Sequence, residues 1–209
     1  MTHLSSSAAD AEKLYELSEA GRELLFTGAR TVNNFSPEPV SDEQLRAVWE
    51  LSKWPPTSAN TNPLRILYVR SPEAKRRLLP HLLERNQAKS ESAPVVAVLA
   101  RDSAYTEHIP RLWPFNPEAK DVYDADPAHR DRQGHFNALL QAGYFILAVR
   151  ATGLAAGPLL GFDPDGVDGE FFPDGRWRSF LVVNIGRPGH NPWFERLPRL
   201  DYHEAVRLV

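Results

Sequence analysis

Residues 94–100 read Pro-Val-Val-Ala-Val-Leu-Ala, an unbroken apolar run closed by Arg101 and Asp102. A run of that length without polar alternation suits a strand covered on both faces. Phe180-Leu-Val-Val-Asn-Ile-Gly186 reads the same way, and Arg65-Ile-Leu-Tyr-Val-Arg70 supplies a third strand. Outward from these runs, helical patterns take over. Ser41 can cap a helix over 41–53, and Gln44 completes a capping box; Leu45, Val48 and Trp49 then share one face, and Trp54-Pro55-Pro56 ends it. Ser71-Pro72, cap and first-turn proline, opens another helix reaching about Glu84. Glu12 to Phe26 is helical in pattern, with Leu14, Leu17, Leu24 and Leu25 among charges. Phe136 to Thr152 is apolar on nearly every side, which marks a helix buried in a core or a subunit interface. Helix exceeds strand and clean βαβ units are few. The predicted fold is therefore α+β: a sandwich with helices on both faces of a mixed sheet.

The 209 residues carry 24 Lys+Arg, 27 Asp+Glu and no Cys, a net charge of −3. A single domain is expected over 11–209, after a flexible Ser/Ala-rich tail at 1–10. Zero Cys excludes disulfides, iron–sulfur ligation and a cysteine nucleophile. The slightly acidic balance argues against a nucleic-acid partner. The longest apolar stretch, 138–151, is short of the roughly 20 residues a bilayer needs. Residues 1–11 have neither the basic nor the apolar region of a secretory signal. A cytoplasmic location without a membrane partner is expected.

Residues 103–135 are rich in charge, Pro and aromatics, among them Pro110, Trp113, Pro114, Phe115 and Pro117. A long loop inside a compact domain is usually functional, so this segment is predicted to be an inserted lid. Its Arg111 and Trp113 suit a substrate carboxylate or ring. The dinucleotide, P-loop and nucleophile-elbow motifs are all absent. The seven His show no ligand spacing, and no metal site is predicted.

Polar clusters sit at the ends of apolar elements: Arg30-Thr31-Val32-Asn33, Pro56-Thr57-Ser58-Ala59-Asn60, Asn86-Gln87-Ala88-Lys89, Gly157-Pro158-Leu159-Leu160-Gly161-Phe162-Asp163 and Arg196-Leu197-Pro198-Arg199. Loops beside rigid elements concentrate binding residues. Arg30 and Arg196 offer planar forks for phosphate. The hydroxyls of Thr31, Thr57 and Ser58, and the amides of Asn33, Asn60 and Asn86, suit a heteroaromatic ring that both donates and accepts. Gly157 and Gly161 allow backbone close to a flat ligand. Taken singly, each cluster reads more readily as structure, a turn, a loop or a helix end, than as a site. Composition and spacing alone lead to a pocket for a phosphorylated polar ligand.

In this order the clusters resemble the flavin-dependent nitroreductase family, over roughly residues 22–209. The sequence looks most like its malonic semialdehyde reductase branch, on Ala29-Arg-Thr-Val-Asn33, Lys53-Trp-Pro-Pro-Thr-Ser-Ala-Asn60, Ala156-Gly-Pro-Leu-Leu-Gly-Phe-Asp163, Asn184-Ile-Gly186 and Arg196-Leu-Pro-Arg-Leu200. The resemblance implies an α+β sandwich whose mixed central sheet is mainly antiparallel, bound FMN, NADH or NADPH as donor, and a homodimer that completes the domain, with the flavin at the subunit interface. It assigns the FMN phosphate to Arg30, Thr31 and Arg196. Pro56, Thr57, Ser58 and Asn60 would line the flavin and ribityl chain, with Asn86 and Lys89 at the pyrimidine edge. Pro158, Leu159, Leu160 and Gly161 would lie on the N5 side. Asn33 stands where many relatives carry a cation. Lys89 would be the catalytic group, stabilising negative charge on the ring. The implied reaction passes hydride from NAD(P)H through flavin N5 to a small acceptor such as malonic semialdehyde. The alternatives are a nitroaromatic or quinone reductase, an oxygen-using or dehalogenating flavoenzyme, and a non-catalytic flavin-binding protein.

Overall fold

The computed structural model describes residues 16–209. The 1–10 tail and the start of the helix expected from Glu12 lie outside the described residues. In chain order the helices are α1 (Glu19–Arg22), α2 (Asp42–Ser52), α3 (Pro72–Leu78), α4 (Glu84–Ser92), α5 (Ile109–Leu112), α6 (Ala119–Ala125), α7 (Pro127–Ala151), α8 (Pro164–Phe171) and α9 (Tyr202–Ala205). The strands are β1 (Leu64–Val69), β2 (Val95–Asp102), β3 (Ala155–Leu159) and β4 (Trp177–Gly186).

The strand order is β1-β2-β4-β3, and all three ladders are antiparallel. The mainly antiparallel sheet is thus borne out, with no parallel pair among the described residues. The two apolar runs occupy the centre. β2 is buried along nearly its whole length because it has a neighbour on each side and helices on both faces. One face carries Val95, Ala97, Leu99, Val183 and Ile185 against Leu45 and Val48 of α2 and Ala142, Phe145 and Val149 of α7. The other packs Val96, Val98 and Val182 against Leu78 of α3, Leu82, Phe162 and Val167 of α8. Each fully buried side chain of this kind contributes about 1.5–3 kcal/mol. The Ser41–Gln44 capping box is formed in both directions.

Four expectations are corrected. The helix from Ser71 does not reach Glu84. α3 stops at Leu78, a 3-10 turn spans Leu79–His81, and the chain is extended at Leu82 and Leu83 before α4 begins. Pro80 lacks an N–H and crowds the preceding turn, which breaks the run. The Asn86–Lys89 cluster consequently lies inside α4. Residues 103–135 are not a loop: a 3-10 turn, α5, α6 and the start of the long helix together fill most of them, and that helix begins at Pro127, capped by Asp126 accepting from the His129 N–H. That helix is also not apolar all round. It buries Asn137 and Gln141 with Ala138, Ala142 and Phe145, and leaves Phe136, Leu139, Leu140 and Tyr144 exposed. Near the start of the described chain, the helical pattern resolves into the short α1 and a π turn at Glu23–Thr27. No helix of the described residues is long and apolar enough to cross a membrane.

Candidate functional site

β3 organises the first cleft. The Val32 N–H donates to the Ala156 carbonyl at 3.3 Å. Opposite Asn184 in the ladder, Gly157 leaves room for the Val32 carbonyl, which a Cβ at 157 would meet at 2.6 Å. The close approach that this glycine permits is therefore to the protein's own backbone. The Asn33 N–H donates to the Pro192 carbonyl at 2.8 Å, which folds the C-terminal segment over the same edge. The open cleft formed there, about 340 Å³, is lined by Arg30, Thr31, Asn33, Pro158 and Arg196 of the predicted residues, and by Arg150, Glu195 and Arg199 besides.

Four guanidinium groups thus face one cavity. Each is anchored on main-chain carbonyls: Arg30 on Phe194 (3.2 Å), Arg150 on Leu24 (2.8 Å), Arg196 on Thr27 (2.7 Å) and Ala29 (3.1 Å), Arg199 on Leu197 and Pro198 (both 3.0 Å). None forms an ion pair with any described residue. Burial lowers the Arg150 pKa, the mark of a partly dehydrated cation. Pre-positioned forks without carboxylate partners suit a multiply charged oxyanion, above all a phosphate.

Asn86 is buried and donates from Nδ2 to the Gly161 carbonyl at 2.7 Å, just beyond β3; that carbonyl also accepts the Leu83 N–H at 3.0 Å. α4 therefore pins the end of the 157–161 segment, and a Cβ on Gly161 would collide with the Asn86 amide. Leu159 points into the core while Leu160 is exposed. One turn beyond Asn86, Lys89 is half-buried and lines neither cleft. Its pKa is lowered, first by burial and then by the like charge of Arg85.

Pro56, Thr57, Ser58 and Asn60 lie elsewhere. Ala59, Asn60 and Asn62 all take left-handed backbone conformations, with φ of 53°, 49° and 44°. Such residues cost of order 1–3 kcal/mol each and persist only where surroundings enforce them. The Ser58 N–H donates to Asn137 Oδ1 of α7 at 2.8 Å, and Asn60 Nδ2 to the Leu112 carbonyl of α5 at 2.8 Å. Asn60 and Arg111 line a second cleft of about 730 Å³ with Trp49, Trp54, Tyr68 and His108; Trp113 is half-buried outside it.

Two carboxylates help to tie down the 103–135 segment. Asp102, buried at the end of β2, accepts from Arg65 (2.7 Å), Arg176 (3.0 and 3.3 Å) and the Ala104 N–H (2.9 Å), and Arg176 reaches on to Glu107 (2.8 Å). Asp124 of α6 accepts from Lys120, Thr106 and Arg130. These bonds, led by Lys120, hold its pKa down at about 2.

The structure therefore gathers Arg30, Thr31, Asn33, Pro158 and Arg196, joins Asn86 to Gly161, and sets the 56–60 turn with Arg111 apart. Sequence reasoning missed Arg150, a lone cation closing an apolar helix, and left Arg199 unassigned within the Arg-rich end. It also missed Asn137 and Gln141, whose signal was polarity at i, i+4 in an otherwise apolar helix.

Residues 27–187 match the nitroreductase family. Two Streptomyces coelicolor proteins bearing the provisional name NADH dehydrogenase/NAD(P)H nitroreductase are similar to this chain. One is 57% identical, covering 90% of this chain and 93% of the relative; the other is 49% identical, covering 92% and 98%. Among solved structures, a nitroreductase-type protein from Exiguobacterium sibiricum in complex with FMN superposes with a TM-score of 0.79 at 19% identity, covering 93% of this chain and 99% of the other. With a family match across most of its length and relatives this close, the chain belongs to the nitroreductase family of oxidoreductases.

Proposed function

We propose that the protein is an FMN-dependent NAD(P)H oxidoreductase reducing a small aldehyde acid, malonic semialdehyde or a close analogue. The observation that carries the cofactor reading is the set of four carbonyl-anchored guanidiniums in one cleft, none of them ion-paired with a described residue. The donor set fits a flavin mononucleotide phosphate. The Exiguobacterium relative's bound FMN and the NAD(P)H in the Streptomyces names agree with it. When bound, FMN supplies the hydride relay between the nicotinamide and the acceptor. The chain's part is to hold the phosphate through Arg30, Thr31 and Arg196, to brace the 158–161 segment through Asn86, and to place cationic charge at Lys89. Arg111, which forms no ion pair with a described residue, suits the acceptor's carboxylate. A second reading, a nitroaromatic or quinone acceptor, is favoured by the relatives' names. Steady-state kcat/KM for malonic semialdehyde, a nitrobenzoate and a quinone separates the two; a nitroaromatic preference would displace the aldehyde acid. Wild-type protein that binds no FMN would end both.

The same reading includes a homodimer. The 56–60 turn is bonded at Asn137 of α7, while Ile146 and Arg150 of that helix line the arginine cleft. At 1.5 Å per residue these points lie about 20 Å apart. Between them run the exposed Leu139, Leu140 and Tyr144, with Phe136 just before them and Gly143 open to solvent. A two-fold pairing of α7 with its copy, antiparallel about Gly143, would bring one protomer's turn beside the other's arginine cleft. Leu140→Asp, at a position 40% exposed in the single chain, is expected to leave the fold intact, convert dimer to monomer in sedimentation, and weaken FMN binding with it. A dimer unaffected by that charge removes α7 from the interface.

Lys89→Met is expected to lower the flavin midpoint potential by a few tens of millivolts, since roughly 30 mV corresponds to 1.4 kcal/mol for a two-electron couple. Negative charge on the ring would offset the desolvation that lowers this ammonium's pKa. Coincident potentiometric curves for wild type and variant, both saturated with FMN, would leave Lys89 without an electrostatic role.

A further inference from the structure

We infer that Asn137 and Gln141 are positioning residues that hold the Thr57–Asn62 turn in its flavin-facing form; the role rests on the FMN reading above. The two side chains lie one helical turn apart on α7 and are essentially fully buried. Asn137 Oδ1 accepts the Ser58 N–H at 2.8 Å, while its Nδ2 donates to the Gln133 carbonyl at 2.8 Å, which fixes the amide's orientation. Gln141 Oε1 accepts the Leu64 N–H at 2.9 Å, and its Nε2 donates to Asn62 Oδ1 at 3.2 Å. The turn is thus clasped at both ends by one rigid helix.

Between the clasps lie the left-handed Ala59, Asn60 and Asn62. Within the turn, Asn62 donates to the Asn60 carbonyl at 2.7 Å and to its Oδ1 at 2.9 Å, and the Asn62 N–H donates to Thr57 Oγ1 at 3.3 Å. Asn62 is therefore the node through which Gln141 fixes Asn60 and Thr57. Strained backbone of this kind relaxes when its external partners are removed. A buried amide facing a turn also has no water to replace it. Because α7 presents its other side as the apolar face beside Leu139 and Leu140, the same helix links the turn to the proposed dimer contact.

The test uses full-length protein carrying Asn137→Leu or Gln141→Met, both close in volume, with Phe145→Leu as a control in the same helix whose side chain packs in the core and has no hydrogen bond to give the turn. FMN affinity is read by flavin fluorescence and visible circular dichroism, and amide exchange at Ser58 and Leu64 by NMR on ligand-free protein. Asn137→Leu is expected to speed exchange at Ser58, and Gln141→Met at Leu64, at least tenfold. Each is expected to weaken FMN at least tenfold, while Phe145→Leu lowers melting temperature without weakening FMN. Wild-type exchange rates in the variants would overturn the clasp whatever the cofactor. Faster exchange with unchanged FMN affinity, or an equal FMN loss in Phe145→Leu, would overturn the positioning role. Wild-type protein that binds no FMN would instead overturn the reading beneath it, with the exchange rates still judging the clasp.

Discussion

Asp102→Ala is expected to cost about 3 kcal/mol of folding stability, the scale of breaking a buried ion pair by removing one partner. Asp102 is 1% exposed and bonded to Arg65, Arg176 and the Ala104 N–H. Its removal strands a half-buried Arg65 beside the end of β1 and frees Arg176 from the segment it ties through Glu107. Both arginines keep a path to water, which holds the cost toward the lower end of the range. Denaturant midpoints at pH 7 give the number, and a loss below about 1 kcal/mol would show that solvent replaces the carboxylate. The pH dependence supplies a second check. Burial pushes the Asp102 pKa up, but the Arg176 bond, the Ala104 N–H and the charge of Arg65 outweigh it, and the folded value lies below 3.8. A depressed carboxyl pKa contributes stability that is present above the unfolded value and lost as pH falls through the folded one. The difference between wild type and variant should therefore stay constant from pH 7 to about 4 and shrink below that. Asp124, held at about 2 chiefly by Lys120, loses its contribution over the same acid range, so both proteins share that part of the decline.

The central strands were legible because a strand covered on both faces must be largely apolar, and Val95 to Ala100 meet that demand throughout while Phe180 to Gly186 meet it at every position but the buried Asn184. The edge strand β3 was not. Ala155-Ala-Gly-Pro-Leu159 contains a glycine that makes room for the Val32 carbonyl and a proline tolerated at a sheet edge; both residues advertise a loop. The polar first half of α7 was hidden for the opposite reason. His129 to Gln133 are all polar and none is buried, so no apolar residue there repeats with a helical period. Pro80 was visible, yet the leucines around it carried the helical reading past the break.

The candidate site divides in the same way. Arg30 and Arg196 are 166 positions apart, and only the resemblance joined them; the fold does so by laying the 190s across the 27–33 segment. That the 56–60 turn sits about 20 Å along α7 from the arginine cleft is a tertiary fact with no local signal. Neither is the role of Gln141, since a glutamine in an apolar helix reads equally as an exposed residue until the Leu64 N–H is placed against it.

Arg196→Ala is expected to weaken FMN binding about ten- to hundredfold. Hydrogen bonds to charged groups contribute roughly 1.5–3 kcal/mol, and every 1.4 kcal/mol is about tenfold. The Arg196 guanidinium already donates through one nitrogen to the Thr27 and Ala29 carbonyls, which orients its remaining N–H groups and lowers the entropy lost on binding. That anchoring also gives the residue a structural task, so the variant must separate the two. Riboflavin shares the ring and ribityl chain with FMN and lacks the phosphate. Loss of a phosphate contact weakens FMN and leaves riboflavin unchanged, whereas loosening of the 27–29 segment weakens both. Titration of wild type and variant with each flavin at two salt concentrations decides the matter. The salt dependence of FMN binding should fall in the variant, because one cation fewer meets the anion. Equal losses for the two flavins would reassign Arg196 to holding the chain together and leave the phosphate to Arg30, Arg150 and Arg199.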